Sequence, residues 1–416
     1  MSGGDTVKER NTLMAGAARM DITPAEELLP LPFVGPISFQ FIADRIHVRA
    51  LYIENLQENT LLVAFDMGEV PYPQETVEFI NEISNIRNEN IFLTATHTHE
   101  TPFIGWPLMP ADVETEAKYR KWYEQIKNAV REAVLEAISS KRAARLGYAE
   151  GKSYINVNRD ELIDGKCEVG NNYERPSDKT LALVKLEDEE KNLIALVVNY
   201  ACHAVLLNGC LVNDGIGISG DIPGRTSTSI EDQLGGVVLW TSGAAGDQNP
   251  RVTTNYGYDE TGFRTISLGE AGYMILDGIV REHVRNILSV NQRIVCNVDS
   301  ARIISLEKIV LVKAKGAKEE EAPSIPFTLK LLRIGELAIM GISAEVVTIV
   351  GENVRKVSDA EHTIMITHAQ GCMGYVPDDW EYEHQSFVAG SSLIEKGCAE
   401  PVFIRGFEEM FGNQNG

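Results

Sequence analysis

The chain has 416 residues, 44% hydrophobic and 24% charged, with 35 Gly and only 16 Pro, a globular composition that excludes disordered and fibrous classes. Sixty Asp and Glu against 38 Lys and Arg give a formal charge of −22. Such a surface repels phosphate backbones and anionic headgroups, so neither nucleic-acid binding nor electrostatic membrane docking is expected.

No apolar run is long enough for an integral membrane segment, and the polar N-terminus contains no apolar stretch of signal-peptide length. The six Cys are scattered and form no C-x-x-C pair, which points to a reducing cytoplasm with free, mostly buried thiols.

Residues 1–14 read as a disordered tail and 15–416 as one domain. Strands are predicted near Gly16–Ile22, His47–Ile53 and Leu61–Phe65, from their β-branched and large apolar residues. Val77, Phe79, Ile80 and Ile83 recur at helical spacing in Gln74–Ser84, and Ile91–Ala95 reads as a buried strand. A proline-bearing loop and a long helix, Val113–Ile138, follow.

The middle third continues with a hairpin (Leu181–Leu186 and Leu193–Tyr200), a buried strand (Val237–Trp240) and a helix (Leu268–Leu288). Strands predominate over Arg293–Met340, broken by a charged loop at Lys315–Glu321; then come a helix (Val346–Val357) and a strand (Thr363–Thr367). The alternation predicts an α/β class: a single large domain with mixed β-sheets flanked by helices. No internal repeat is visible.

Chemistry-bearing residues collect where strands end. In Thr94-Ala95-Thr96-His97-Thr98-His99-Glu100-Thr101-Pro102, residues two apart on a strand share a face, so His97 and His99 look into one pocket. Strand ends are where α/β proteins place ligands. A second apolar strand ends in Asn199-Tyr200-Ala201-Cys202-His203, and a lone strand His is more often a core residue; the first pair raises its standing as a ligand.

Gly215–Gly220 matches G-x-G-x-x-G, but a turn-like segment precedes it and Pro223 follows where a helix should run, so a dinucleotide site is rejected. Asp221 reads as a polar group at a helix start. The small residues of Trp240–Pro250 admit close approach of a ligand, with Asp247 read either as orienting a His or as binding a polar group. Glu345 follows an apolar strand and would be costly to bury unpaired. Tyr375, in Gly371–Pro377, reads equally as a phenol donor, a metal ligand or packing.

In chain order, A-G-A-A-R-M-D-I-T-P, T-H-T-H-E-T-P, N-Y-A-C-H, S-G-D-I-P-G, A-A-G-D-Q-N-P, I-S-A-E and G-Y-V-P resemble the N-terminal catalytic domain of the neutral/alkaline (non-lysosomal) ceramidase family over most of residues 15–401. The resemblance implies a zinc amidase with the metal at strand ends, held by His97, His203, Glu345 and Tyr375, and with His99 and Arg159 contacting substrate. The ligand types alone admit Fe or Mn as well as Zn²⁺.

The implied reaction is hydrolysis of an N-acyl compound by metal-activated water, with His99 and Tyr375 stabilising the oxyanion and Asp221 or Asp247 fixing a His tautomer. Asn249 stands where the family carries a Ser, and Phe387-Val388-Ala389 where it carries Y-E-G. The family's C-terminal β-sandwich and secretion signal are not seen. Arg225 and Arg251, beside the candidate loops, suit an anionic group and so a smaller N-acyl substrate than ceramide. Two rival readings are a metal-free serine hydrolase using Ser219 or Ser242, and a non-catalytic ligand-binding member of the same fold.

Overall fold

The computed structural model describes residues 11–32, 37–213, 215–258, 265–316 and 323–413. Each of its three largest sheets contains one parallel pair of strands. In the first, Asn59–Phe65 runs parallel to Ile91–Ala95, and His47–Glu54, Met14–Asp21 and Arg142–Ala143 extend the sheet antiparallel. In the second, Leu193–Tyr200 is parallel to Val237–Ser242, with Thr180–Glu187 and Arg145–Lys152 antiparallel beyond it. In the third, Leu337–Ile342 is parallel to His362–Ile366, with Ser324–Ile334 and Ile303–Lys313 beyond.

A parallel pair demands a crossover, and a helix supplies each one: Pro73–Ser84, Asp221–Leu234 and Thr348–Arg355 respectively. Strands covered on both faces read as continuous apolar runs. Accordingly, Ile91–Ala95, Leu193–Tyr200 and Leu337–Ile342 are buried at every position.

The inner faces of the sheets meet in one cluster that includes Leu51, Leu62, Val184, Leu239, Ile339 and Ile364. Helices cover the outer faces. Trp122, Ile126 and Val130 of Val113–Ser139 pack on the first sheet, Leu276 and Ile287 of Glu270–Asn291 on the second, and Phe403 and Phe407 of Ala399–Gly412 on the third. The Asp112 side chain starts the long helix by accepting the Thr115 N–H at 2.9 Å.

The mixed sheets, flanking helices and most expected strands are present, with ends shifted by a few residues. Residues 1–10 of the expected tail lie outside the described residues, as do 317–321 of the charged loop. Residues 11–14 belong to the fold instead: Leu13 is fully buried, and its N–H reaches the Asp299 carbonyl at 3.0 Å. The hairpin Asn156–Ile163/Lys166–Asn172 escaped the sequence reading because its outer strand is largely exposed and polar, with no hydrophobic alternation to detect. All six cysteines are free. Among the described residues no helix is long and apolar enough to cross a membrane.

A buried ion cluster joins the first sheet to the second layer. Arg49 is 1% exposed and contacts Asp66 at 2.7 Å and Glu231 at 2.8 Å. Glu231 also accepts the Val238 N–H at 2.9 Å and pairs with Arg19. Burial works against the charge on Asp66, but Arg49 and then His47 hold its pKa below the ordinary value. Arg49→Ala leaves Asp66 with His47 alone and should cost about 3–5 kcal/mol in urea unfolding; a loss under 1 kcal/mol would contradict this role.

His283, fully buried, faces Ser153 Oγ with Nδ1 at 2.8 Å, while its Nε2 has no partner. Burial alone pushes its pKa down to about 3. The folded state therefore binds fewer protons than the unfolded one between that value and about 6.5, so stability is complete above this window and is lost as pH falls through it. On going from pH 7.5 to 5.5, wild type should lose about 1 kcal/mol more stability than His283→Gln. Equal losses would show that His283 does not titrate on unfolding.

Candidate active site

The three parallel pairs point their C-terminal ends at one place. His97 lies just beyond Ile91–Ala95, His203 beyond Leu193–Tyr200 and Glu345 beyond Leu337–Ile342. All three are buried. Glu345 Oε2 stands 3.3 Å from His97 Nε2 and 3.1 Å from His203 Nε2.

The opposite ring nitrogens donate to main-chain carbonyls, His97 Nδ1 to Gly68 at 2.8 Å and His203 Nδ1 to Ala245 at 2.6 Å. Those bonds fix a proton on each Nδ1 and turn each Nε2 toward Glu345. Two donors on a tetrahedral zinc, with bonds of ~2.0–2.1 Å, stand about 3.3 Å apart, so this spacing fits a metal.

The electrostatics agree. Burial opposes charge on His97, but Glu345 and Glu69 outweigh it and raise its pKa to about 10. Burial and Arg159 instead press His203 down to about 3, against the pull of Glu345. Glu345 is held far below the usual carboxylate range: burial would raise it, and the two imidazoles more than compensate. A carboxylate that keeps its charge beside a neutral His203 suits a divalent cation.

Tyr375 arrives through the ladder, because Glu345–Val346 pairs in parallel with Tyr375–Val376 and sets Tyr375 opposite Glu345. Its ring stacks with His203 at a centroid distance of 6.4 Å. Burial drives the phenol pKa up, Arg159 opposes the rise and Glu345 adds to it. His99 Nε2 lies 3.2 Å from His97 Nε2, and donor atoms of His97, His99 and His203 fall within 4.8 Å of one another. His99 is therefore as well placed for a metal as for a substrate.

Arg159 comes from the hairpin strand Asn156–Ile163, anchored by its own N–H to the Asp247 carbonyl at 2.8 Å. The guanidinium sits 5.3 Å from the centre of the Tyr375 ring and 5.5 Å from that of Phe387, with Nη1 3.4 Å from Asn249 Oδ1. Its Nε and Nη2 are buried without a hydrogen-bond partner.

Other expected residues do different work. Asp247 and Asp221 do not fix a tautomer, because carbonyl oxygens do that. Asp247 accepts from Thr348 N–H, Thr348 Oγ1 and Asn158 Nδ2 at 2.9, 2.8 and 2.7 Å. Asp221 opens the helix Asp221–Leu234 and accepts from Ile222 and Leu207 main-chain N–H at 2.5 and 2.9 Å.

Arg225 and Arg251 are no anion receptors. Arg225 is paired with Asp44 at 2.9 Å and Asp277 at 2.5 Å, and Arg251 with Glu282 at 2.5 Å. Ser219 spends its hydroxyl on Asp44, and Ser242 Oγ lies 3.4 Å from the Thr96 carbonyl, so neither contacts an imidazole as a serine nucleophile would. The small-residue loop serves the scaffold: a Cβ on Gly246 would lie 3.0 Å from the Glu345 and Val346 carbonyl oxygens.

Two residues were missed. His368 stacks on His97 with centroids 3.9 Å apart, and Glu69 Oε1 lies 3.0 Å from His368 Nδ1 and 3.4 Å from His97 Nδ1. Both follow strands of the parallel pairs, Glu69 after Asn59–Phe65 and His368 after His362–Ile366. The strand-then-polar signal that singled out His203 was available for them too.

A donor cage at the convergent strand ends of a mixed α/β fold defines the class. Residues 34–257 match the family described as neutral/alkaline non-lysosomal ceramidase, N-terminal, and the chain belongs to that family. It is 28% identical over 168 residues to neutral ceramidase B of Dictyostelium discoideum, covering 38% of this chain and 23% of that one. It is 26% identical over 225 residues to neutral ceramidase of Drosophila melanogaster, covering 50% and 31%. The matched stretches thus span under a third of these relatives. The fold resembles the crystal structure of neutral ceramidase from Pseudomonas aeruginosa, with TM-score 0.74 and 17% identity over 96% of this chain and 73% of that one.

Asp247→Ala removes the acceptor for a buried N–H and should cost roughly 1–3 kcal/mol per orphaned group, while the folded variant binds as much added divalent metal as wild type. Loss of metal at unchanged stability would restore Asp247 as an imidazole orienter.

Proposed function

We propose that this chain hydrolyses a linear amide, splitting an N-acyl compound, ceramide-like or smaller, into a carboxylic acid and an amine. His97, His203, Glu345 and Tyr375 hold a divalent cation in this reading, zinc by the family resemblance, although the donor types also admit Fe or Mn. The observation that carries it is the convergence of His97 Nε2 and His203 Nε2 on Glu345 Oε2, at 3.3 and 3.1 Å, with carbonyl-bound Nδ1 atoms behind both rings. The cation, when bound, polarises a carbonyl oxygen and makes water a competent nucleophile near neutral pH.

The protein's own residues supply the rest. Arg159 has two unpartnered donors beside Tyr375 and presents them to a substrate oxygen; Asn249 holds the far edge of the guanidinium. An oxyanion contact of this kind is worth about 2.7–4 kcal/mol. His99 and Tyr375 flank the same point and orient the acyl carbonyl. Phe387, where the family carries a Tyr, places an apolar ring against Arg159 and keeps it turned toward Tyr375. The relatives are named ceramidases, and ceramide is itself an N-acyl amide, which supports the bond type.

The test pairs metal analysis with a panel of N-acyl amino acids, short-chain N-acyl amines and ceramides. Wild type should turn over at least one class. His203→Ala should abolish activity, and Arg159→Met should lower kcat/KM by about 10²–10³-fold with the fold intact. Full activity in His203→Ala, labelling of Ser219 or Ser242 by a fluorophosphonate, or turnover of no amide would overturn the reading.

A further inference from the structure

Beside His97, whose ring His368 stacks on, a second set of donors converges. The ligand atoms of Glu69, His368 and Cys372 all lie within 4.8 Å of one another, and the three residues are 1%, 2% and 4% exposed. Glu69 Oε1 is 3.0 Å from His368 Nδ1. The other carboxylate oxygen, Oε2, is buried and has no hydrogen-bond partner. A buried carboxylate oxygen left unpaired is costly, and a bound cation removes that cost.

We propose that Glu69, His368 and Cys372 form a second transition-metal site, adjoining the His97–His203–Glu345 centre but with its own three ligands. Oxygen, nitrogen and sulfur donors on one tetrahedral zinc stand about 3.3–3.6 Å apart, so the triangle closes on an ion with small side-chain shifts. A thiolate among the ligands selects zinc or another borderline-soft metal over calcium or magnesium. Three protein ligands leave one coordination position for solvent.

A cavity reaches two of the three ligands. Glu69 and Cys372 line a cavity of about 430 Å³ together with Trp106, Val77 and Ile309, whereas His368, His203 and Tyr375 do not border it. Binding replaces the Cys372 thiol proton, which leaves to solvent, so one proton is released per ion bound. The backbone at His368 and Gln370 is left-handed, with φ of 54° and 60°, at residues that are not glycine. Such conformations persist only where the surroundings enforce them, and this turn is what brings His368 and Cys372 to Glu69.

The experiment uses the whole chain, stripped of metal and titrated with Co²⁺. Wild type should bind two equivalents and develop a thiolate-to-cobalt charge-transfer band. Cys372→Ser should lose that band and one equivalent; Glu69→Gln should weaken the same equivalent at least tenfold. His203→Ala should lose the other equivalent and keep the band, which separates failure here from failure of the amide-hydrolase reading. A wild-type spectrum without a thiolate band at two equivalents of Co²⁺ overturns the proposal and needs no variant to fold. Persistence of the band in Cys372→Ser overturns it as well.

Discussion

The structure turns on Glu345, a carboxylate 2% exposed at the meeting point of the three largest sheets. An ionised carboxylate cannot stay in such a place unpaired. It is held because two imidazoles approach from different sheets, each locked by a main-chain carbonyl on its far nitrogen. Those carbonyls belong to Gly68 and Ala245, which follow the partner strands of the same parallel pairs. One strand of each pair brings the ring, and the other brings the oxygen that aims it.

That division of labour explains the architecture. A βαβ unit places two strand ends side by side on one edge of a sheet, which is why ligands gather at the carboxyl ends of parallel strands. Here three such units are set around one apolar interior, so six strand ends face the same space. The antiparallel strands outside each pair widen the sheets and bury the inner cluster, and the outer helices close the remaining faces. The hairpin carrying Arg159 leans in from outside this core and is attached through Gln248–Pro250.

Local backbone cost concentrates at the same spot. His97 and His368 both adopt φ above 50°, and their rings stack at 3.9 Å. Gly246 is required because the loop after Val237–Ser242 runs against the Glu345 strand, where a Cβ would meet carbonyl oxygens at 3.0 Å. Strain and close approach of this kind mark functional centres and are stabilised by the surrounding scaffold. The buried Arg49–Asp66–Glu231 cluster is one such support: Glu231 lies in the crossover helix of the second sheet, while Arg49 and Asp66 belong to the first.

The linear order of residues determined the α/β class, the buried strands and the strand-end placement of His97, His203 and Glu345, because those depend on local hydrophobic periodicity and on where it stops. It did not reveal the threefold set of parallel pairs: strand direction is a pairing property, and the three crossover units share no repeated motif. Nor did it separate Arg159, with open donors, from Arg225 and Arg251, whose partners Asp44, Asp277 and Glu282 come from distant segments. The tautomer-fixing oxygens are main-chain atoms with no side-chain signature at all. Glu69 and His368 sit 299 positions apart, and only the packing of one sheet against another makes them neighbours. Periodicity is written along the chain, whereas the partner of a buried charge is chosen by tertiary contact.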